Sequence, residues 1–65
     1  MSTQVQLYRA HDNNYMFSMY CKAGAPRKDE FIVVTVNDDV RRYRVEFIVH
    51  DMDKDEYQVY VSQQT

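Results

Sequence analysis

The chain has 65 residues, enough for one small domain and too few for a second core or for the common cofactor-binding folds. Hydrophobic residues make up 45% and charged residues 28%, a balance that argues against both a disordered polar tail and a membrane segment. The formal net charge of −2 argues against an indiscriminate binder of polyanions. We therefore expect a single small folded domain spanning residues 1–65.

Alternating apolar and polar residues, separated by turn-forming residues, predict five β-strands. The first two strands, Gln4–His11 and Tyr15–Lys22, flank the turn-forming run of residues 12–14. A loop over residues 23–29 carries the only glycine and the only proline. The other strands are Glu30–Val36, Val40–His50 and Glu56–Ser62, with turns at 37–39 and 51–55. Over residues 40–56 a period of two fits better than a helical period, and six Tyr and three Phe also favour strands.

Successive side chains of a strand point to opposite faces of its sheet, so the strand positions predict a core face. The predicted core positions are apolar or aromatic: Val5, Leu7, Tyr15, Phe17, Met19, Cys21, Ile32, Val34, Val36, Tyr43, Val45, Phe47, Val49, Tyr57, Val59 and Val61. The opposite face is also partly apolar, at Tyr8, Met16, Tyr20, Phe31, Val33, Ile48 and Tyr60. That second face is more apolar than a solvated face needs to be, which favours a partner.

The expected fold is all-β, a single five-stranded antiparallel meander. No segment is predicted to form a helix that could cover the sheet, so the sheet either curls into a small barrel or pairs with a second copy as a dimeric sandwich. The single cysteine, Cys21, excludes an internal disulfide, and no Cys/His cluster offers a zinc site. Small domains without such cross-links commonly self-associate, and we therefore expect a homodimer.

A candidate partner-binding site combines arginine with aromatic residues on the face opposite the core. Its members are Tyr8, Tyr20, Phe31, Arg42, Arg44 and Tyr60. Guanidinium groups beside aromatic rings are used for protein hot spots, for phosphate and for stacked bases. The plainer interpretation is a solvated strand face on which arginine stems cover apolar surface.

Two other patterns are weaker. Asp51, Asp53 and Asp55 are spaced like the opening of a calcium loop, but Glu56 and Ser62 stand where that loop needs a glycine and a bidentate glutamate, so a charged hairpin turn is expected. Cys21, His11 and His50 are the only nucleophile and base candidates, and no third group is evident that would orient them. We expect no metal, no cofactor and no enzymatic activity.

The leading hypothesis is a non-enzymatic cytoplasmic interaction protein that binds another macromolecule, most readily a protein, and modulates or inhibits it. Small single-domain chains with acidic turns are common among phage and mobile-element proteins that inhibit host machinery. This is an analogy with a class of proteins and not a resemblance to a family, since the chain carries no family motif. The alternative is a nucleic-acid or nucleotide binder that stacks bases on the aromatic residues and holds phosphate with Arg42 and Arg44. No membrane partner is expected, because no apolar run is long enough to span a bilayer.

Overall fold

The computed structural model describes residues 3–64, which form one five-stranded sheet. The strands are β1 (Thr3–Arg9), β2 (Asn14–Cys21), β3 (Phe31–Val36), β4 (Asp39–Asp51) and β5 (Glu56–Gln64). The prediction of a small all-β fold with five strands is confirmed, and each predicted strand end lies within two residues of the observed one. No helix occurs among the described residues, and hence none that is long and apolar enough to cross a membrane.

The strands are arranged in the order β2-β1-β5-β4-β3, which differs from the expected meander. β1 pairs with β5 in parallel, and the other three neighbouring pairs are antiparallel. The prediction of a purely antiparallel sheet is therefore wrong, because β2 and β3 are not neighbours and form the two edges instead. This order places β1 and β5 in the interior of the sheet. These two strands carry four of the six buried hydrophobic side chains: Val5, Leu7, Val59 and Val61.

The sheet curls into a half-barrel that covers its own core. Tyr43 and Val45 of β4 complete the buried set on the inner face, which we call the core face. The partly buried residues around them include Phe17 and Met19 of β2 and Ile32 of β3. Of the two arrangements expected for the sheet, the chain adopts the curled one, and the half-barrel stays open between β2 and β3, which are not hydrogen-bonded to each other.

A β-bulge in β2 reverses the direction of one aromatic side chain. Leu7 pairs with Phe17 and Tyr8 pairs with Tyr15, so Met16 is an extra residue in β2. Phe17 stays on the core side, whereas Tyr15 turns to the opposite face, which we call the outer face, and Met16 packs against the core. The predicted positions of Tyr15 and Met16 are wrong, because an extra residue shifts the alternation of side chains by one.

A second bulge has the same effect in β4. The register with β5 shifts between Val45 and Phe47, which leaves Glu46 as the extra residue. Beyond it Phe47 and Val49 turn to the outer face, where 44% and 40% of their surface is exposed, and Ile48 packs against the core. The prediction that Phe47 and Val49 are core residues and Ile48 an outer one is therefore wrong, for the same reason.

Polar residues with left-handed backbone angles form the tight turns. Asn37 and Asp38, with φ of 51° and 65°, make the two-residue connection between β3 and β4, which matches the mirror-image turn that hairpins prefer. In the turn between β4 and β5, the Asp51 carboxylate accepts hydrogen bonds from the backbone N–H groups of Asp53 and Lys54 at 3.1 and 3.2 Å. The Asp51 carboxylate thus stabilises the hairpin turn.

Candidate functional site

The outer face of the sheet is the most apolar exposed surface in the described part of the chain. Eight large hydrophobic side chains between residues 3 and 64 are exposed, and seven of them lie on this face. The seven are Tyr15, Tyr20, Phe31, Val33, Val40, Phe47 and Val49. The eighth, Met52, lies in the turn between β4 and β5. Exposed apolar side chains concentrated on one face are typical of interaction sites.

Four rings from four adjacent strands form a continuous line across the outer face. This aromatic row consists of Tyr15 of β2, Tyr8 of β1, Tyr60 of β5 and Phe47 of β4. The ring centroids of Phe47 and Tyr60 are 4.4 Å apart with the planes at 14°, and those of Tyr60 and Tyr8 are 5.1 Å apart at 23°. Tyr15 meets Tyr8 edge to face at 5.6 Å. Tyr60 is therefore held between two rings that cover both of its faces.

The two bulges are what complete the aromatic row. Without them Tyr15 and Phe47 would point to the core face, and only Tyr8 and Tyr60 would remain on the outer one. The sequence did not predict Tyr15 and Phe47 on the outer face, because the residues of both strands fit a strict alternation that places these two rings on the core face. The only signals were Met16 and Ile48, apolar residues that interrupt the polar phase of their strands. An apolar residue out of phase beside an aromatic one is a clue to a bulge.

Arginine side chains flank the row on the side of β3. The guanidinium carbon of Arg42 lies 4.3 Å from the ring centroid of Phe31, a cation–π contact. Arg44 donates to the Asp29 carboxylate at 2.8 Å, and this hydrogen bond lowers the pKa of Asp29. Within residues 3–64, Arg42 has no carboxylate at ion-pair distance. Arg42 is thus the cation on this face whose charge is least neutralised by its own fold.

All six residues predicted for the site lie on the outer face, although they do not form one cluster. Tyr8 and Tyr60 stack in the aromatic row, and Phe31 and Arg42 form the cation–π pair. Arg44 is paired with Asp29 beside them. Tyr20, by contrast, is 68% exposed on the edge strand β2 and pairs in register with Gln4. Tyr20 therefore lies at the far margin of the face, away from the arginines.

A cavity of about 240 Å³ opens at one end of the core face. Its lining includes two guanidinium groups, and each is engaged by a nearby carboxylate. Arg9 contacts Asp12 at 2.7 Å, and Arg41 contacts Asp39 at 3.0 Å. Because both positive charges are already paired, this cavity offers less to an anionic ligand than the outer face does.

The structure does not bring the cysteine beside a histidine. Cys21 pairs with Thr3 at one end of the β1–β2 hairpin, while His11 lies in the turn at the other end. His50 of β4 stacks on Tyr57 of β5, and two strands, β1 and β5, lie between β4 and β2. Partial burial raises the pKa of the Cys21 thiol, which disfavours the thiolate. In the described part of the chain, no cluster of His, Cys, Asp and Glu side chains could hold a metal ion.

Comparison with known proteins gave no match: no protein-family model, no curated protein sequence and no solved structure is similar to this chain.

Proposed function

We propose that this chain is a non-enzymatic interaction protein whose outer face binds a partner protein in the cytoplasm and modulates or inhibits it. The observation that carries the proposal is the concentration of seven of eight exposed large hydrophobic side chains on one face of the described sheet. Tyrosine and arginine, which are enriched in the energetic centres of protein interfaces, lie within that surface.

The stacking geometry favours a protein over a nucleic acid as the partner. A base-binding surface needs aromatic ring faces that are free to stack on bases. In the aromatic row, Tyr8 and Phe47 already cover both faces of Tyr60, so that ring presents its edge and its hydroxyl outward. Asp29 also partly neutralises Arg44. A surface of ring edges, hydroxyls and aliphatic groups suits a complementary protein surface better than a phosphate backbone.

The distribution of charge suggests which partner chemistry fits. The row itself is uncharged, and Arg42 and Arg44 lie to one side of it. A matching partner would present apolar groups opposite Phe47 and Tyr60 and an acidic side chain opposite Arg42. Such an arrangement buries the apolar centre and leaves the ion pair near the rim, where it contributes mainly to specificity and to the association rate.

The proposal is tested by quantitative affinity capture with matched variants. The tagged chain, the F47A/Y60A variant and the control T35A/V40A variant would each be used as bait, with captured proteins compared by mass spectrometry. Thr35 and Val40 form a cross-strand pair on the same face but outside the aromatic row. We expect a partner that is retained by the wild type and the control and lost with F47A/Y60A. Far-UV circular dichroism would confirm that all three baits are folded.

Two outcomes would contradict the proposal. In the first, F47A/Y60A retains every protein that the wild type captures, which would separate binding from the aromatic row. In the second, fluorescent single-stranded oligonucleotides or nucleotides bind at low salt and are released steeply as salt rises, with loss of binding in R42E. That behaviour is the signature of phosphate contacts and would establish the nucleic-acid alternative.

A further inference from the structure

We infer that the edge of β3 is the site at which a second copy of this chain adds to the sheet, in antiparallel register about a two-fold axis at Val33. The inference concerns a sheet edge and is independent of the partner proposed for the outer face. It also differs from the dimeric sandwich expected from the sequence, because it joins edges rather than faces.

The residues of β3 carry none of the features that usually prevent strand pairing. Edge strands are commonly protected by lysine, proline, a bulge or a covering segment. The residues of β3, Phe31–Val36, include no charge and no proline, and the β3–β4 pairing contains no bulge. The other edge, β2, is interrupted by the bulge at Met16. Of the two open edges, β3 is therefore the better template for another strand.

The hydrogen bonds at the two ends of β3 show which of its residues direct their backbone N–H and C=O groups to β4 and which direct them to the open edge. Near its start, the Val45 N–H donates to the Glu30 carbonyl at 2.8 Å, and at its end the two-residue turn makes Val36 and Asp39 a hydrogen-bonded pair. Hydrogen-bonded pairs alternate along an antiparallel ladder. The backbone groups of Ile32, Val34 and Val36 therefore point to β4. Those of Phe31, Val33 and Thr35 point to the open edge.

One symmetric register uses all of these outward backbone groups. When Val33 lies opposite Val33 of a second copy, Phe31 of each chain lies opposite Thr35 of the other, and every outward N–H and C=O group of the strand gains a partner. Because β-strand side chains alternate, this register also aligns core face with core face. Ile32 of one copy then lies beside Val34 of the other, and both are half-buried apolar residues.

The charges at the ends of β3 favour the same antiparallel arrangement. Asp29 and Glu30 directly precede the strand, and Asp29 is already paired with Arg44. Arg27 and Lys28 lie just before them, and Asp38 and Asp39 follow the strand. Among residues 3–64, neither basic side chain forms an ion pair, and Asp38 forms none either. A second copy in antiparallel orientation places the unpaired Arg27 and Lys28 of each chain near the unpaired Asp38 of the other. This self-complementarity is the property that a two-fold interface requires.

The first experiment measures mass in solution. Sedimentation equilibrium from low micromolar to submillimolar concentration is expected to show the 7.8 kDa chain in equilibrium with a dimer of twice that mass. The V33P variant removes an N–H group that points to the open edge, and proline is tolerated on edge strands in that position. V33P is expected to remain folded and monomeric, whereas the control V33T keeps the N–H group and is expected to dimerise like the wild type.

A second experiment tests the register directly by disulfide crosslinking. The native Cys21 is replaced by serine (C21S), so that an introduced cysteine is the only thiol of the chain. Opposed residues of a hydrogen-bonded antiparallel pair have Cα atoms about 5.5 Å apart, within the range that a disulfide spans. V33C is therefore expected to form a covalent dimer on mild oxidation. T35C lies on the same strand and the same face, but its partner in this register is Phe31, so we expect it to stay uncrosslinked.

Three results would overturn the inference. The first is a monomer at every concentration, which would leave the edge free for a strand from a different protein. The second is a dimer that persists in V33P, which would locate the interface elsewhere and revive the face-to-face sandwich. The third is equal crosslinking of V33C and T35C, which would exclude the stated register. None of these results depends on the outer-face partner, so the two proposals can fail separately.

Discussion

Both faces of the sheet carry large apolar side chains, but these differ in residue type and in exposure. The core face is built largely from aliphatic side chains, and five of its six buried residues are valine or leucine. The outer face carries the aromatic row and seven exposed large hydrophobic side chains. Compact aliphatic packing on the core face holds the chain together, whereas the apolar groups of the outer face remain in water.

The comparison separates residues that stabilise the fold from residues available to a partner. Burial of apolar surface is the main favourable contribution to folding, and exposed groups contribute little of it. The exposed aromatic residues of the outer face therefore lower solubility and add little to stability. Folding alone does not explain why they lie on this face. A partner that covers them would account for their presence on this face.

The largest difference in the free energy of unfolding is expected between the variants L7A and V33A. Leu7 is fully buried in β1, and L7A should lower the free energy of unfolding by about 2–5 kcal/mol. Domains of this length have about 3–5 kcal/mol in total, so L7A is expected to be largely unfolded. V33A truncates a side chain that is 63% exposed and should change stability by less than about 0.5 kcal/mol. Urea denaturation followed by circular dichroism measures both, and similar effects would contradict the assignment of the faces.

A smaller contrast, between adjacent residues, tests the bulge in β4. Ile48 packs against the core and Val49 lies on the outer face, because Glu46 is an extra residue. I48K forces a charged group toward the core and should destabilise the protein by about 1–3 kcal/mol more than V49K does. If β4 kept strict alternation without a bulge, the order of the two variants would be reversed. The same denaturation experiment therefore decides where the bulge lies.

The sequence was sufficient to predict five strands and most of the core. Turn residues such as Asn37 and Asp38 have a local conformational reason to adopt left-handed angles, so strand ends could be predicted. The pairing of β1 with β5 could not be predicted, because strand order depends on contacts between residues that are far apart in the chain. The loop of residues 22–30 is also long enough to carry β3 away from β2.

The candidate site was predictable only in part, for a different physical reason. Tyr8, Tyr60 and Arg42 follow simple alternation and were placed correctly on the outer face. Tyr15 and Phe47 were missed because one extra residue reverses every side chain beyond it. A bulge depends on the register with the neighbouring strand, and a pattern within one strand does not determine that register.

The smallest expected effect concerns the ion pair between Arg44 and Asp29 at the margin of the outer face. The Arg44 guanidinium lowers the pKa of Asp29 in the folded chain. A carboxyl with a lowered folded-state pKa stabilises the fold above its unfolded pKa of about 3.9, and this stabilisation is lost as the pH falls through the folded value. Both side chains are largely exposed, so the contribution is small.

The D29N variant isolates that contribution, because asparagine tolerates the φ of 70° at this position. We expect the urea midpoint of the wild type to exceed that of D29N near neutral pH, and the gap to narrow as the pH falls below the unfolded pKa of Asp29. D53N is the matched control, since it removes the same charge from a residue that forms no ion pair among the described residues. A gap for D29N that is independent of pH would mean that the ion pair with Arg44 contributes nothing. Arg44 would then join Arg42 as a cation free to meet an acidic partner.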